Sequence, residues 1–544
     1  MSVSGILHPE LRSGVPGRRA AGSGTRIAAV KSPLKRLSQE TAIYGLSTVV
    51  GRFLNFLLVP FYVNVLRSRA EYGFTSSLYA YLAFLSVVFP LGLEGAYFRY
   101  AARAEGAPEE RERERRLFST PFWLAAGFGL ALAAALFAAA PSLVGPLFSD
   151  PGHDVRTVFP LLLSILRLGA VILFFDALAV LPFASLRLEH RAKTFAAIKI
   201  GNIVLTLALN FVFLLRFRWG VEGIFRANAI ASVATFLAVL PAVSGRLAGR
   251  FDRGVLAKML PFGLANVPAY LGAMMVQVID RPIVQRLRGF SDLGVYQANY
   301  RMGFAMMVLV SVFDYAWRPF FLRQYATEGD RAKPLLARVF TYTAALSLFA
   351  FVTLAFFLPW LVGVRLPGIG HSLLRKDYLS GVGVIPVVLL AYVFQMFATN
   401  FIAGIYIREK TSRLPIVTGL GALVNVATNL WWVPVFGILG AAYATLAAYA
   451  VMAAAMFAFS QRAFPIRYEW GRLGRLALVT AGVYAAGKTS GSLAAEAGLV
   501  AASFALLWLG GFFTAEELAF FRRLFRRGAP VPAEGPVVAE EKDR

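Results

Sequence analysis

From about residue 40 to residue 521 the chain alternates long apolar runs with short polar connections, and that pattern restricts it to very few folds. A bilayer-spanning helix needs roughly 20 mostly apolar residues. Runs of about that length or more fall near 40–66, 72–101, 117–148, 158–184, 192–215, 220–246, 256–286, 291–323, 336–363, 379–407, 413–433, 436–461, 472–489 and 495–521. In lipid every backbone N–H and C=O must be satisfied within the protein, which leaves helices and closed barrels. The period-2 alternation of a barrel strand is not evident, so the chain is expected to be an all-α integral membrane protein of about 14 transmembrane helices. The runs at 117–148 and 291–323 exceed one bilayer thickness, which tilt or protruding ends absorb.

The chain also repeats itself. Leu66-Arg67-Ser68-Arg69-Ala70-Glu71-Tyr72-Gly73 returns as Leu287-Arg288-Gly289-Phe290-Ser291-Asp292-Leu293-Gly294, each copy between two apolar runs. Leu188-Glu189-His190-Arg191-Ala192-Lys193, followed by Asn210 and Trp219-Gly220-Val221-Glu222-Gly223, has its counterpart in Ile407-Arg408-Glu409-Lys410-Thr411, Asn429 and Phe436-Gly437-Ile438-Leu439-Gly440. Both offsets are close to 220 residues. Two anchors at one offset indicate a duplicated bundle, the construction by which many secondary transporters enclose a cavity between two halves.

Lys and Arg set the orientation. Connections beginning near 67, 149, 216, 287, 364, 434 and 490 carry few, whereas the alternate set is rich, for example Arg111, Arg113, Arg115 and Arg116, or Arg246, Arg250, Arg253 and Lys258. Both termini are expected in the cytoplasm, and the two six-helix halves share one orientation, making them parallel repeats. The predicted organisation is a tail at 1–38, an N-lobe at 39–250, a C-lobe at 251–463, a helix pair at 464–527 and a second tail at 528–544. The first tail, rich in Arg, Gly and Ser, lacks the apolar core of a signal peptide. Proline recurs inside the spans, and Pro268 with Gly272 predicts a bend in the seventh.

A net charge of +25 resembles a nucleic-acid footprint, but the basic residues cluster between apolar runs, so their pattern is topological and no nucleic-acid partner is expected. With no cysteine and four scattered histidines, disulfides and thiolate sites are excluded and an imidazole metal site is not expected; neither metal nor other cofactor is called for. The longest connection is of ordinary length, too short to hold the clustered acids of an enzyme acting on lipid-linked sugars, so no catalytic residues are assigned.

Ionisable groups inside spans are costly and usually face the bundle interior or a wet cavity. Here they are mainly arginines: Arg52, Arg167, Arg226, Arg281, Arg301 and Arg318. A guanidinium is a permanently charged planar fork of donors suited to phosphate and pyrophosphate, so these six are the candidate substrate-binding residues and the substrate is expected to be anionic. The acids Glu94, Asp176, Asp280 and Asp314 are candidate charge partners or coupling sites. Structural readings stand beside these. Asp314 and Arg318 lie four apart and pair within one helix, Arg281 snorkels to the headgroups, and Asp280 is neutralised by its neighbour. The abundant aromatics are mostly interfacial or core residues, with a minority in the first, second, seventh and eighth spans available to stack on sugar rings.

The stretch Asn429-Leu430-Trp431-Trp432-Val433-Pro434-Val435-Phe436-Gly437-Ile438-Leu439-Gly440-Ala441-Ala442-Tyr443-Ala444-Thr445 resembles the N, P, G-x-x-G-A-A-x-A-T signature of polysaccharide flippases in the multidrug/oligosaccharidyl-lipid/polysaccharide exporter superfamily. Tyr44 to Ser47, Gly51-Arg52 and Pro60-Phe61-Tyr62 resemble that family's first helix. The resemblance implies a fourteen-helix, two-lobed protein of the bacterial inner membrane, and a monomer is expected. It would move an undecaprenyl-pyrophosphate-linked oligosaccharide between leaflets by alternating access, with coupling to Na⁺ or H⁺ implied by analogy alone. The competing readings are a cation-coupled multidrug exporter of the same superfamily, against which six intramembrane arginines to four acids argue, and then a membrane enzyme or a structural scaffold.

Overall fold

The computed structural model describes residues 51, 53–54, 56–101, 108–151, 154–365, 372–514 and 517, the side chains of 108–111 excepted. Arg52, the predicted N-terminal tail at 1–38 and the whole of the C-terminal tail at 528–544 lie outside the described residues. The helices in chain order are α1 (Phe56–Val65), α2 (Arg69–Val88), α3 (Leu93–Ala101), α4 (Pro108–Leu147), α5 (Val155–Leu188), α6 (Ala192–Phe211), α7 (Gly220–Leu247) and α8 (Arg253–Val278). There follow α9 (Asp280–Arg288), α10 (Phe290–Tyr300), α11 (Phe304–Glu328), α12 (Lys333–Gly363), α13 (Val384–Ile407), α14 (Leu414–Phe436), α15 (Ile438–Ala463), α16 (Trp470–Ser490) and α17 (Leu493–Leu509). Among the described residues there is no strand beyond one isolated bridge, Arg365 to Ser372.

The fold is therefore the all-α membrane architecture expected from the sequence. Ten helical stretches are long and apolar enough to cross a membrane, one of them, Phe290–Gly363, long enough to hold two predicted spans. The described residues divide into two compact units between Arg467 and Tyr468. In the second, α16 and α17 form a helix pair in which Arg472 bonds both Glu469 (3.0 Å) and Glu517 (2.9 Å).

Within the first unit the duplication is visible in the backbone. His190 and Glu409, equivalent in the two copies, are non-glycine residues in the left-handed region (φ 57° and 54°). Each turn is closed the same way, Arg191 N–H donating to Leu186 O and Lys410 N–H to Ile405 O, both at 2.9 Å. Gly220 and Gly437 begin their helices at φ 57° and 60°, and Asn210 and Asn429 are both fully buried.

The two copies of the first motif pack against each other. The Ser68 hydroxyl caps α2 by accepting from Glu71 N–H, and Glu71 reaches back to Arg67 N–H, two of the orphan donors of a helix start. In this paired arrangement α2 and α10 touch backbone to backbone. A Cβ added at Gly73 would lie 2.0 Å from Phe290 O, and one at Gly294 would lie 2.1 Å from Arg69 O, so each glycine sits on the residue equivalent to its partner's neighbour. At the same end Arg375 grips Asp377 through two bonds (2.7 and 2.8 Å) and donates to Leu66 O (2.8 Å), tying the α12–α13 connection to the end of α1. Gln285 and Arg286 donate across the lobes to carbonyls of 146, 147 and 149. A second junction lies toward the opposite end, where a Cβ on Gly92 would meet Gly263 O at 2.3 Å and Arg99 lies over the Phe262 ring.

Three spans are broken, and the breaks matter below. The second turns at Pro90, Leu91 and Gly92. The eighth passes through a 3₁₀ turn, Arg301–Gly303. The seventh breaks at Ile279, not at the predicted Pro268, which α8 carries within its continuous length. The reason is local: Pro282 has no N–H to donate to Val278 O, so the ladder ends there.

Gly73→Val or Gly294→Val should force α2 and α10 apart. Because the chain has no cysteine, spin labels at Arg67→Cys and Arg288→Cys will read the motif-to-motif distance cleanly, and it should increase. The bidentate Arg375 holds the Asp377 carboxyl below the usual carboxylate range. A depressed folded-state value means that the clamp is intact above about pH 4 and weakens only as the pH falls further. Hydrogen exchange at 375–381 should rise in acid for the parent and at all pH values for Asp377→Ala.

Candidate functional site

Three adjoining chambers lie inside the first unit. The largest, about 620 Å³, is lined by N-lobe helices α2, α3, α5, α6 and α7; its polar lining includes Glu94, Asp176, Arg187, Lys199, Asn202 and Asn228. A second, about 350 Å³, lies between the lobes and is lined by Tyr62 and Tyr79 from one and Arg281, Gln297 and Arg301 from the other. A third, about 480 Å³, carries Gln277, Arg281, Tyr300, Arg301, Gln395 and Tyr449. The first and second share Tyr79 and Asn228, and the second and third share both arginines.

Arg281 follows the break in the seventh span and Arg301 opens the 3₁₀ turn in the eighth. Placing side chains where a helix is interrupted is how transporter folds aim groups into a midplane cavity. Neither guanidinium has a hydrogen-bond or ion-pair partner among the described residues, and the Arg281 Nε is buried without one. Asp280, next in sequence to Arg281, is 3% exposed and spends its carboxylate on the Tyr296 hydroxyl (2.6 Å) and the Arg281 backbone N–H (2.9 Å). It lines none of the three chambers and makes no ion pair with the Arg281 guanidinium.

The other predicted residues are placed differently. Arg226 pairs with Glu222 (2.6 Å) and covers the Trp219 ring, while Glu222 also accepts from Ser164 on α5. Arg318 pairs with Asp314 (3.0 Å) and lies near Tyr406. Arg167 stacks over Phe137 of α4, its Nε unpartnered. None of these three lines the chambers described above. Glu94 pairs with Arg187, and Asp176 sits beside Ser232 and Lys199.

A family of polysaccharide biosynthesis proteins matches residues 66–367, more than half of the chain. The chain belongs to this family. Its architecture is shared with a lipid II flippase in an inward closed conformation, at 13% identity over 90% of this chain and 100% of that one, with a TM-score of 0.69. A multidrug-resistance MATE transporter in its inward-facing conformation aligns at 14% identity over 81% and 98%, with a TM-score of 0.57. A superfamily transporter from Pyrococcus furiosus, whose binding pocket is described as having reversed polarity, aligns at 15% over 82% and 97%, with a TM-score of 0.51. At these identities the likeness is one of fold. Comparison with curated protein sequences gives no match.

For a member of this family, the residue that sequence reasoning passed over is Lys199. It interrupts the apolar run of α6 as the arginines interrupt theirs, and the same cost of a charge in a span applies to it. Arg187 stands near the end of its span, where basic residues normally mark topology; its pairing with Glu94 is a tertiary fact. Among the described residues no cluster of three or more His, Cys, Asp or Glu is placed to hold a metal.

Burial separates these pairs energetically. Tyr296→Phe leaves the buried Asp280 carboxylate short of its donor and should lower stability by about 1–3 kcal/mol. Asp314→Asn, on a half-exposed pair, should change it by less than about 1 kcal/mol. Thermal unfolding of both variants in one detergent checks the contrast.

Proposed function

We propose that this family member is a transporter that moves an undecaprenyl-pyrophosphate-linked oligosaccharide from the inner to the outer leaflet of the bacterial cytoplasmic membrane. The observation that carries the proposal is the pair Arg281 and Arg301, two guanidiniums without hydrogen-bond or ion-pair partners among the described residues, both lining the cavity between the lobes. Charges in a low-dielectric site are stable only when compensated, and a pyrophosphate supplies the missing counter-charge with oxygens matched to each fork. A cationic drug would meet repulsion there.

In this reading the head group occupies the interlobe cavity while the prenyl tail stays in lipid. The seam by which the tail leaves is the one where Phe53 and Phe56 of the first span meet Phe304 of α11, since the opposite seam is sealed by Gly92 against Gly263. Positive-inside topology puts the joined motif end outside and both termini in the cytoplasm. The glycine junction between α2 and α10 then serves as the outer gate of an alternating-access cycle. Coupling to Na⁺ or H⁺ falls to the acids in or adjoining the chambers, Asp176, Glu94 and Asp280, and the working unit is a monomer.

The test is leaflet translocation of a fluorescent undecaprenyl-pyrophosphate glycan in proteoliposomes. A hydrogen bond to a charged group contributes about 1.5–3 kcal/mol, so Arg281→Ala and Arg301→Ala should each slow flipping about ten- to a hundredfold with insertion unchanged. Failure of the parent to move the glycan, together with expulsion of a cationic dye, would replace this function with drug export.

A further inference from the structure

The largest chamber is not the one that holds the uncommitted arginines. It belongs entirely to the N-lobe, and its charges cancel: Arg187 and Lys199 against Glu94 and Asp176. Glu94 and Arg187 are joined as an ion pair, with the guanidinium over the Phe98 ring. The Lys199 ammonium rests over the Phe183 ring at 4.3 Å and feels both acids. Asp176 and Lys199 both keep exposed side-chain surface, and both line the chamber.

The two asparagines leave their amide oxygens unspent. Asn202 donates its amide N–H groups to Thr235 Oγ1 (2.6 Å) and Ala231 O (3.2 Å), and Asn228 donates to Tyr79 Oη (2.5 Å) and Ile224 O (2.9 Å). Neither amide oxygen accepts a bond among the described residues. The remaining wall includes the rings of Tyr79, Phe183 and Phe195. A prenyl tail would leave these polar groups unpaired, and a polyanion or a cationic drug would find no net charge of the opposite sign. Carboxylate and amide oxygens, an ammonium and aromatic faces together suit a neutral polyhydroxyl solute, whose hydroxyls both donate and accept.

We infer that the N-lobe chamber is the glycan subsite of this transporter, taking uncharged sugar units next to the carrier's pyrophosphate. The inference rests on the function proposed above, in which Arg281 and Arg301 hold the pyrophosphate. Tyr79 and Asn228, common to both chambers, form the doorway through which the first sugar passes from one to the other. The head group thus lies across the cavity, with its charge between the lobes and its sugars inside the N-lobe.

The experiment is a binding titration of the full-length protein in nanodiscs with three soluble probes. These are a short-chain prenyl pyrophosphate that is bare, carries a neutral trisaccharide, or carries that trisaccharide with one sugar replaced by glucuronate. The neutral glycan should tighten binding over the bare probe and the glucuronate should not. Asp176→Asn and Asn202→Ala, which touch only the N-lobe chamber, should each remove about tenfold of affinity for the neutral glycan probe and leave the bare probe unaffected, whereas Arg301→Ala should weaken all three. Thermal unfolding of each variant separates lost binding from lost fold, and the two substitutions are read independently. Equal binding of bare and neutral-glycan probes by the parent, or parallel weakening of both in the chamber variants, would overturn the subsite while leaving the transporter reading intact. No binding of the bare probe to the parent would overturn that reading and the subsite with it.

Discussion

The contact between α2 and α10 governs where everything else can be. Gly73 lies on the Phe290 carbonyl and Gly294 on the Arg69 carbonyl, an approach that any Cβ would prevent. Because the two contacts are equivalents under the internal repeat, one evolutionary solution serves both sides of the junction. Lipid provides no hydrophobic drive to hold helices together, so close backbone approach through small residues must supply the packing. With the lobes joined there, and again at Gly92 and Gly263, the space between them becomes a defined cavity and not a cleft of variable width.

Inside that frame the charges sort by whether the protein has already answered them. Arg226, Arg318 and Arg187 each have an acid within ion-pair distance, and Asp280 is satisfied by Tyr296 and a backbone N–H. Among the described residues Arg281 and Arg301 line the interlobe cavity without such an acid, and both stand at interruptions of the helical ladder. A helix break costs hydrogen bonds in lipid, so it persists where it lines a cavity. The breaks and the unanswered arginines are thus two aspects of one arrangement.

The repeat also explains the asymmetry of the cavity. Tyr79 and Tyr300 stand at the same spacing as Gly73 and Gly294, and both line chambers. The next residue is Ala80 in the first copy and Arg301 in the second. Duplication supplied two similar walls; divergence at single positions put the uncompensated positive charge on one wall and left balanced polar pairs within the other lobe. A two-lobed scaffold with unlike walls can receive a head group that is itself charged at one end and neutral at the other.

The sequence alone determined the all-helical membrane fold, the order of its apolar segments and the internal repeat, because lipid imposes a length and a composition on each helix that no tertiary contact can waive. The cost of a buried charge likewise made the intramembrane arginines legible as a group. What it did not separate was Arg281 and Arg301 from Arg226 and Arg167, since a nearby acid, an aromatic face and an open cavity are equally compatible with a lone arginine in an apolar run. Nor did it separate Lys199 and Arg187 from ordinary loop and span residues, or place the break at Ile279 where Pro268 looked as capable of one. Those outcomes were decided by which helices meet. Pairing, exposure to a cavity and backbone interruption are properties of facing surfaces, and a facing surface exists only after the two lobes have closed on each other.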